Sequence, residues 1–121
     1  MFDPISTVSA YLLSMESADL AAVLECFDED GLVTSPVYGT MPVEPFYRKL
    51  FSDTEYTTLL IHDIYRSISN DNKVIAHFGY KWCKVDGSYI ETNLVDIFDL
   101  SPESGKIVLL KIVFDKAPSE N

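Results

Sequence analysis

Asp86-Gly87 lies between two long apolar runs, and no other feature constrains the fold as tightly. The runs are residues 73–85 (KVIAHFGYKWCKV) and 88–100 (SYIETNLVDIFDL). Asp-Gly between strand-like runs is a strong hairpin signal, because a two-residue type I′ loop needs positive φ at both central residues. With such a loop Val85 faces Ser88, Lys81 faces Thr92, Gly79 faces Leu94 and His77 faces Asp96. Side chains alternate faces along a strand. One predicted face therefore gathers His77, Lys81, Thr92 and Asp96. The other carries Ala76, Phe78, Tyr80, Trp82, Val95 and Ile97 and is largely aromatic.

The chain before the hairpin reads as helical. Asp3 is a natural N-cap and Pro4 suits a first helical turn, where a missing N–H costs nothing. Ile5, Val8, Tyr11, Leu12 and Met15 recur at helical spacing. Ser17 reads as the next N-cap, with Asp19 in the first turn favourable to the helix dipole. Leu20, Val23, Leu24 and Phe27 form that helix's apolar stripe, and residues 28–31 (DEDG) end it. Residues 32–34 read as a short strand stopped by Ser35-Pro36. A loop follows, marked by Gly39 and Pro42, then a third helix over about 43–51 with Phe46, Tyr47 and Leu50 inward.

Residues 56–69 and 106–114 read as two further strands flanking the hairpin. The predicted order is α-α-β-α-β-β-β-β. Helices followed by a meander of long strands argue for an α+β fold, with helices on one face of an antiparallel sheet. The chain is expected to be one domain, with an ordered core over about residues 4–115 and a tail at 116–121.

Charge narrows the partners. Nine Lys and Arg against 19 Asp and Glu give a net charge of −10, with no basic run. Nucleic acid and anionic membranes reward clustered cations, so neither is expected as a partner. Cys26 and Cys83 lack metal-ligand spacing and read as free thiols of a reducing compartment. No metal or other cofactor is expected. No signal-peptide pattern or membrane-length apolar stretch is visible, so the expected location is cytoplasmic.

The order of these pieces resembles the NTF2-like superfamily, which includes ketosteroid isomerase, SnoaL-type cyclases, limonene epoxide hydrolase and scytalone dehydratase. The resemblance rests on residues 11–20 (YLLSMESADL), 27–36 (FDEDGLVTSP), Gly39 and 46–51 (FYRKLF). Asp96-Ile97-Phe98 followed by Gly105-Lys106-Ile107 completes it. It implies a cone in which a strongly curved sheet closes on three N-terminal helices around a deep pocket, and frequent dimerisation through the outer sheet face. By comparison with ketosteroid isomerase, Tyr11 matches the oxyanion-binding Tyr and Asp96 the oxyanion-binding Asp. The position of the isomerase's general base is here Ser35, which cannot take a proton near neutral pH without a neighbouring base.

These readings converge on a cofactor-independent isomerase or dehydratase moving a proton on a small hydrophobic or cyclic substrate. The alternative is a non-catalytic ligand-binding or dimerisation module. In the first reading His77 is the replacement base, since imidazole titrates near neutral pH. Asp96 and Tyr11 stabilise developing negative charge or orient the base. Asp96 is then either a protonated donor or an ionised partner of His77, not both. A structural His–Asp pair is the plainer alternative. Ser35, Tyr38, Phe46, Tyr47, Leu94 and Phe114 are expected to line the substrate pocket.

Lys81 facing inward would be costly unless paired, so it is functional, matched by a carboxyl, or evidence of a bulge that breaks the register. His62 lies in an apolar run whose face the pattern does not assign. The aromatic face of Phe78, Tyr80, Trp82, Val95 and Ile97 would demand a cover on a monomer. A self-complementary homodimer through that face is the expected cover.

Overall fold

The computed structural model describes residues 3–115 and the backbone of Ser119–Glu120. The expected tail at 116–121 therefore lies largely outside the described residues. Helices α1 (Pro4–Glu16), α2 (Leu20–Glu25) and α3 (Val43–Ser52) pack on one face of a curved sheet. Its strands are β1 (Phe27–Ser35), β2 (Gly39–Pro42), β3 (Thr54–Arg66), β4 (Lys73–Lys84), β5 (Tyr89–Leu100) and β6 (Ile107–Phe114). A two-residue strand, β7 (Ser119–Glu120), pairs with β5. The order across the sheet is β2-β1-β6-β5-β4-β3. All neighbours are antiparallel except β1 and β6, which run parallel. The α+β expectation holds, and the sheet is an unclosed curved layer with one parallel pair.

The helices form for the reasons their sequences give. Asp3 caps α1, its carboxylate accepting from Ile5 N–H at 3.1 Å. Val8, Tyr11, Leu12 and Met15 are buried on one face. The cap of α2 is Asp19, which accepts from Ala22 N–H at 3.1 Å. Ser17 instead closes α1, and Ala18 takes φ 55° between the two helices. In α3, Val43, Phe46, Tyr47 and Leu50 fall at i, i+3, i+4 and i+7 and are all buried.

Two boundaries differ from the sequence expectation. Residues 28–31 do not end a helix; they belong to β1, which opens at Phe27. Gly31 lets this strand bulge against β6, because a Cβ there would lie 2.9 Å from the carbonyl oxygen of Asp28. The loop expected around Gly39 contains β2, which pairs with β1 from Leu32–Pro42 to Ser35–Gly39.

The central hairpin forms, but with a different turn. Lys84 N–H donates to Ser88 O at 2.9 Å and Gly87 N–H donates to Lys84 O at 3.1 Å. The loop is therefore three residues, Val85-Asp86-Gly87, with Gly87 alone at positive φ (90°). This is a type I turn closed by a glycine bulge, the common three-residue alternative to the two-residue loop. Asp86 supports it by accepting from Ser88 N–H and Oγ–H at 2.9 and 2.6 Å.

The extra loop residue moves β4 by one position against β5. His77 lies opposite Val95, Ala76 opposite Asp96 and Lys81 opposite Glu91. A one-residue slip exchanges the faces of a strand relative to its neighbour. The inner face thus combines Val74, Ala76, Phe78 and Trp82 of β4 with Leu94, Asp96 and Phe98 of β5, all buried.

Three expectations fall with the register. His77 does not share a face with Asp96. Lys81 points outward, its ammonium 5.2 Å from the Tyr89 ring centre. Phe78, Tyr80 and Trp82 are not on an outer face with Val95 and Ile97. They pack inside, where Phe78 is fully buried. Cys26 and Cys83 are free and half-buried. Among the described residues no helix is long and apolar enough to cross a membrane.

Candidate functional site

Asp96 is the focus of the interior. Strand alternation on β5 points its side chain inward, and curvature of the sheet encloses it under α1 and α3. It is 1% exposed, and its Oδ1 has no hydrogen-bond partner among the described residues. Burial pushes its carboxyl well above the usual carboxylate range. Burial thus favours the neutral acid, whose O–H can donate.

Three tyrosine hydroxyls lie within electrostatic reach of Asp96: Tyr11, Tyr47 and Tyr80. Burial raises all three above the ordinary phenol range, so all remain protonated donors. Tyr11 and Tyr47 meet hydroxyl to hydroxyl at 2.5 Å. One donates to the other, which leaves the pair with one O–H to offer elsewhere. Their rings pack edge-on against Phe27, Phe98 and Phe46, which fixes the pair in place.

A slot of about 40 Å³ leads inward beside this group. The β1–β2 hairpin supplies Ser35, Pro36, Val37 and Tyr38. Helix α3 supplies Phe46 and Leu50. The sheet supplies Tyr80, Trp82, Ile90, Leu94, Ile112 and Phe114. Of the residues expected to bind substrate, Ser35, Tyr38, Phe46, Leu94 and Phe114 line the slot. Tyr47 lies behind it, fully buried against Tyr11. Asp96 and Tyr11 also stand behind the wall, so the slot stops short of the buried acid.

The interior offers no replacement base among the described residues. Ser35 Oγ accepts from the N–H groups of Val37 and Tyr38 at 3.0 and 3.4 Å, a turn-forming role. His77 sits on the outer sheet face, where Nε2 contacts Asp115 Oδ2 at 2.9 Å. His62 packs on it with ring centres 4.9 Å apart and contacts Asn93 Oδ1 at 3.0 Å through Nε2. His62 reaches that face because the β3–β4 register shifts between Ile61 and Asp63. No group of three or more metal-ligating side chains converges among the described residues.

Tyr80 and Trp82 are site residues that the sequence reading placed on the opposite face. The signal that could have found them is the loop itself, since Asp-Gly also closes the three-residue turn. Inward aromatics on β4 would then have followed from the burial demand of the helices.

The architecture matches known structures throughout its length. A protein of unknown function from Exiguobacterium, described as NTF2-like, aligns over 92% of this chain and 99% of its own, with TM-score 0.76 and 18% identity. The chain has the NTF2-like fold. SalBIII, an epoxide hydrolase/cyclase-like enzyme linked to pyran ring formation in salinomycin, aligns over 92% of this chain and 89% of its own. Its TM-score is 0.78 at 20% identity. A proposed aromatic ring hydroxylase from Novosphingobium aromaticivorans aligns over 98% and 93%, with TM-score 0.82 at 16% identity. No protein-family model and no curated protein matches the sequence.

Proposed function

We propose that the NTF2-like interior binds a small, mostly apolar cyclic molecule carrying one acceptor oxygen. The observation that carries this is the buried, unpartnered Oδ1 of Asp96, on a carboxyl whose neutral form burial favours. A buried carboxyl oxygen without a partner costs stability, and a ligand whose acceptor oxygen reached past the slot's inner wall would complete it. The spare O–H of the Tyr11–Tyr47 pair would serve the same oxygen. Hydrogen bonds of this kind are strong in a dry site because water does not compete.

Chemistry at such a site is acid-assisted. Asp96 would give its proton to an opening epoxide oxygen while a water or a hydroxyl of the same molecule attacks the ring carbon and returns its own proton to the Asp96 carboxylate, in keeping with an epoxide-opening enzyme. The isomerase and dehydratase versions lack support, because each needs a base to remove a C–H proton and His77 lies outside. At about 40 Å³ the slot must widen before a ring-sized molecule can either bind or react.

The test has two parts. Carbon-13 NMR of the aspartate carboxyls should show one group, lost in Asp96→Asn, that stays protonated through neutral pH. Cyclohexanone, phenol and cyclohexene oxide are then titrated against the fluorescence of Trp82, the only tryptophan and a lining residue. Binding that disappears in Asp96→Leu supports the reading. Binding indifferent to that change, or an Asp96 that titrates like a surface carboxyl, overturns it. Product analysis with the epoxide then separates enzyme from binder.

We also propose homodimerisation through the outer sheet face, with a corrected set of residues. Leu60 (67% exposed), Tyr65 (50%) and Val113 (36%) lie there with half-buried Val95 and Ile97. Their exposure on a single chain supports a covered surface.

A further inference from the structure

The roof of the slot is a single structural unit. Ser35, Pro36, Val37 and Tyr38 all come from the tip of the β1–β2 hairpin. The tip holds its own shape through the Ser35 Oγ contacts to Val37 and Tyr38, and Gly39 closes it at φ 74°. Strand β2 is the edge of the sheet, so the hairpin is held to it along one side only, through β1.

Across the mouth the tip is tied by Tyr38. Its hydroxyl donates to Asp53 Oδ2 at 2.6 Å, just past the end of α3. Lys49 Nζ lies 3.9 Å from the same oxygen and 5.2 Å from the Tyr38 ring centre. The Tyr38 ring meets Phe46 and Trp82 edge-on, with centres 5.6 and 6.1 Å apart. Tyr38 thus covers two other walls of the slot with its ring while its hydroxyl is fastened outside.

We propose that this hairpin tip is the gate of the slot and that the Tyr38–Asp53 hydrogen bond is its latch. A charge-assisted bond is strong when dry. Here the Asp53 side chain is 41% exposed, so water competes for it and the latch opens readily. With the bond broken, the Tyr38 ring is free to leave Phe46 and Trp82, and the slot lengthens toward solvent. The closed slot is too small for a ring-sized ligand, so entry requires this movement. The inference goes beyond the ligand reading. It stands on the slot's geometry and not on any role of Asp96.

Trp82 reports the gate directly. It is 3% exposed, and its Nε1–H donates to Thr54 Oγ1 at 2.8 Å, which holds the indole in place. Acrylamide quenching is measured on the whole protein, with fluorescence lifetimes, for wild type, Tyr38→Phe and Asp53→Leu. Tyr38→Phe removes the donor and Asp53→Leu the acceptor of the latch, and both keep side-chain size close to that of wild type. The bimolecular quenching constant is expected to rise several-fold in each. Hydrogen exchange followed by mass spectrometry should accelerate at residues 35–41 and stay unchanged in β4 and β5. Quenching equal to wild type in either folded variant overturns the gate. So does faster exchange spread through β4 and β5, which means general loosening. If Tyr38→Phe does not fold, Asp53→Leu decides alone, since it removes the accepting oxygen without altering the Tyr38 ring itself.

Discussion

Tyr11 on α1 and Tyr47 on α3 join their hydroxyls at 2.5 Å in the fully buried centre of the protein. The bond ties two helices through residues 36 apart in sequence. Removing one hydroxyl strands the other. Tyr11→Phe is expected to lower stability by about 1–3 kcal/mol, the cost of an orphaned buried polar group. The double variant Tyr11→Phe/Tyr47→Phe should lose less than the sum of the two single changes. Urea denaturation of the four proteins checks this, and strict additivity would refute the pairing.

Asp96 predicts a pH dependence with a definite sign. Its folded pKa is raised, so the folded protein holds a proton that the unfolded chain releases above about pH 3.9. The contribution is fully present below the unfolded pKa and is lost as pH rises through the folded value. Within that window Asp96 alone lowers stability by about 1.4 kcal/mol per pH unit. Asp96→Asn removes the titrating group, so its stability should fall less steeply above pH 4 than that of wild type. Identical pH profiles for the two proteins would show that Asp96 ionises freely.

His77 is half-buried beside a partly exposed Asp115, away from the slot. His77→Ala should change stability by no more than about 1 kcal/mol, as for exposed pairs generally. It should leave slot binding, read through Trp82, at the wild-type level. A loss of binding would return His77 to the site.

Leu60 is the most exposed large side chain on the outer sheet face, opposite Gly79 on β4. Leu60→Glu places a charge in the proposed dimer surface. Sedimentation velocity should show a dimer for wild type and a monomer for the variant, with unchanged circular dichroism. A wild type that is monomeric at high concentration removes the homodimer from consideration.

How far the sequence could be read depends on which contacts are local. Helix α3 was legible because Val43, Phe46, Tyr47 and Leu50 keep a helical period without interruption. The inward set on β5, including Leu94 and Asp96, was legible because alternation needs only that strand. The facing of His77 was not. It depends on whether the turn holds two residues or three, and Asp86-Gly87 suits both. That single residue decided which aromatics line the slot. Strand β1 was shortened in the reading because its first half pairs irregularly with β6, a partner far along the chain. Tyr38 was legible as a mouth residue, but its bond to Asp53 was not, because no periodicity links a hairpin tip to a helix end.

The parallel pairing of β1 with β6 joins Phe27 to Ile107 and Val33 to Leu110. The two sides of the slot come from these ends of the chain, Ser35 to Tyr38 on one and Ile112 and Phe114 on the other. During translation, β3, β4 and β5 can pair as they emerge, since each follows its neighbour. The β1–β2 hairpin can also pair within itself, but it joins the sheet only through β6, and such long-range closure is slow. Arrested nascent chains that end before Ile107 should leave residues 27–38 open to protease, while chains extended well past Phe114 should protect them. Each new copy would therefore spend most of its synthesis with its aromatic interior uncovered and within reach of chaperones.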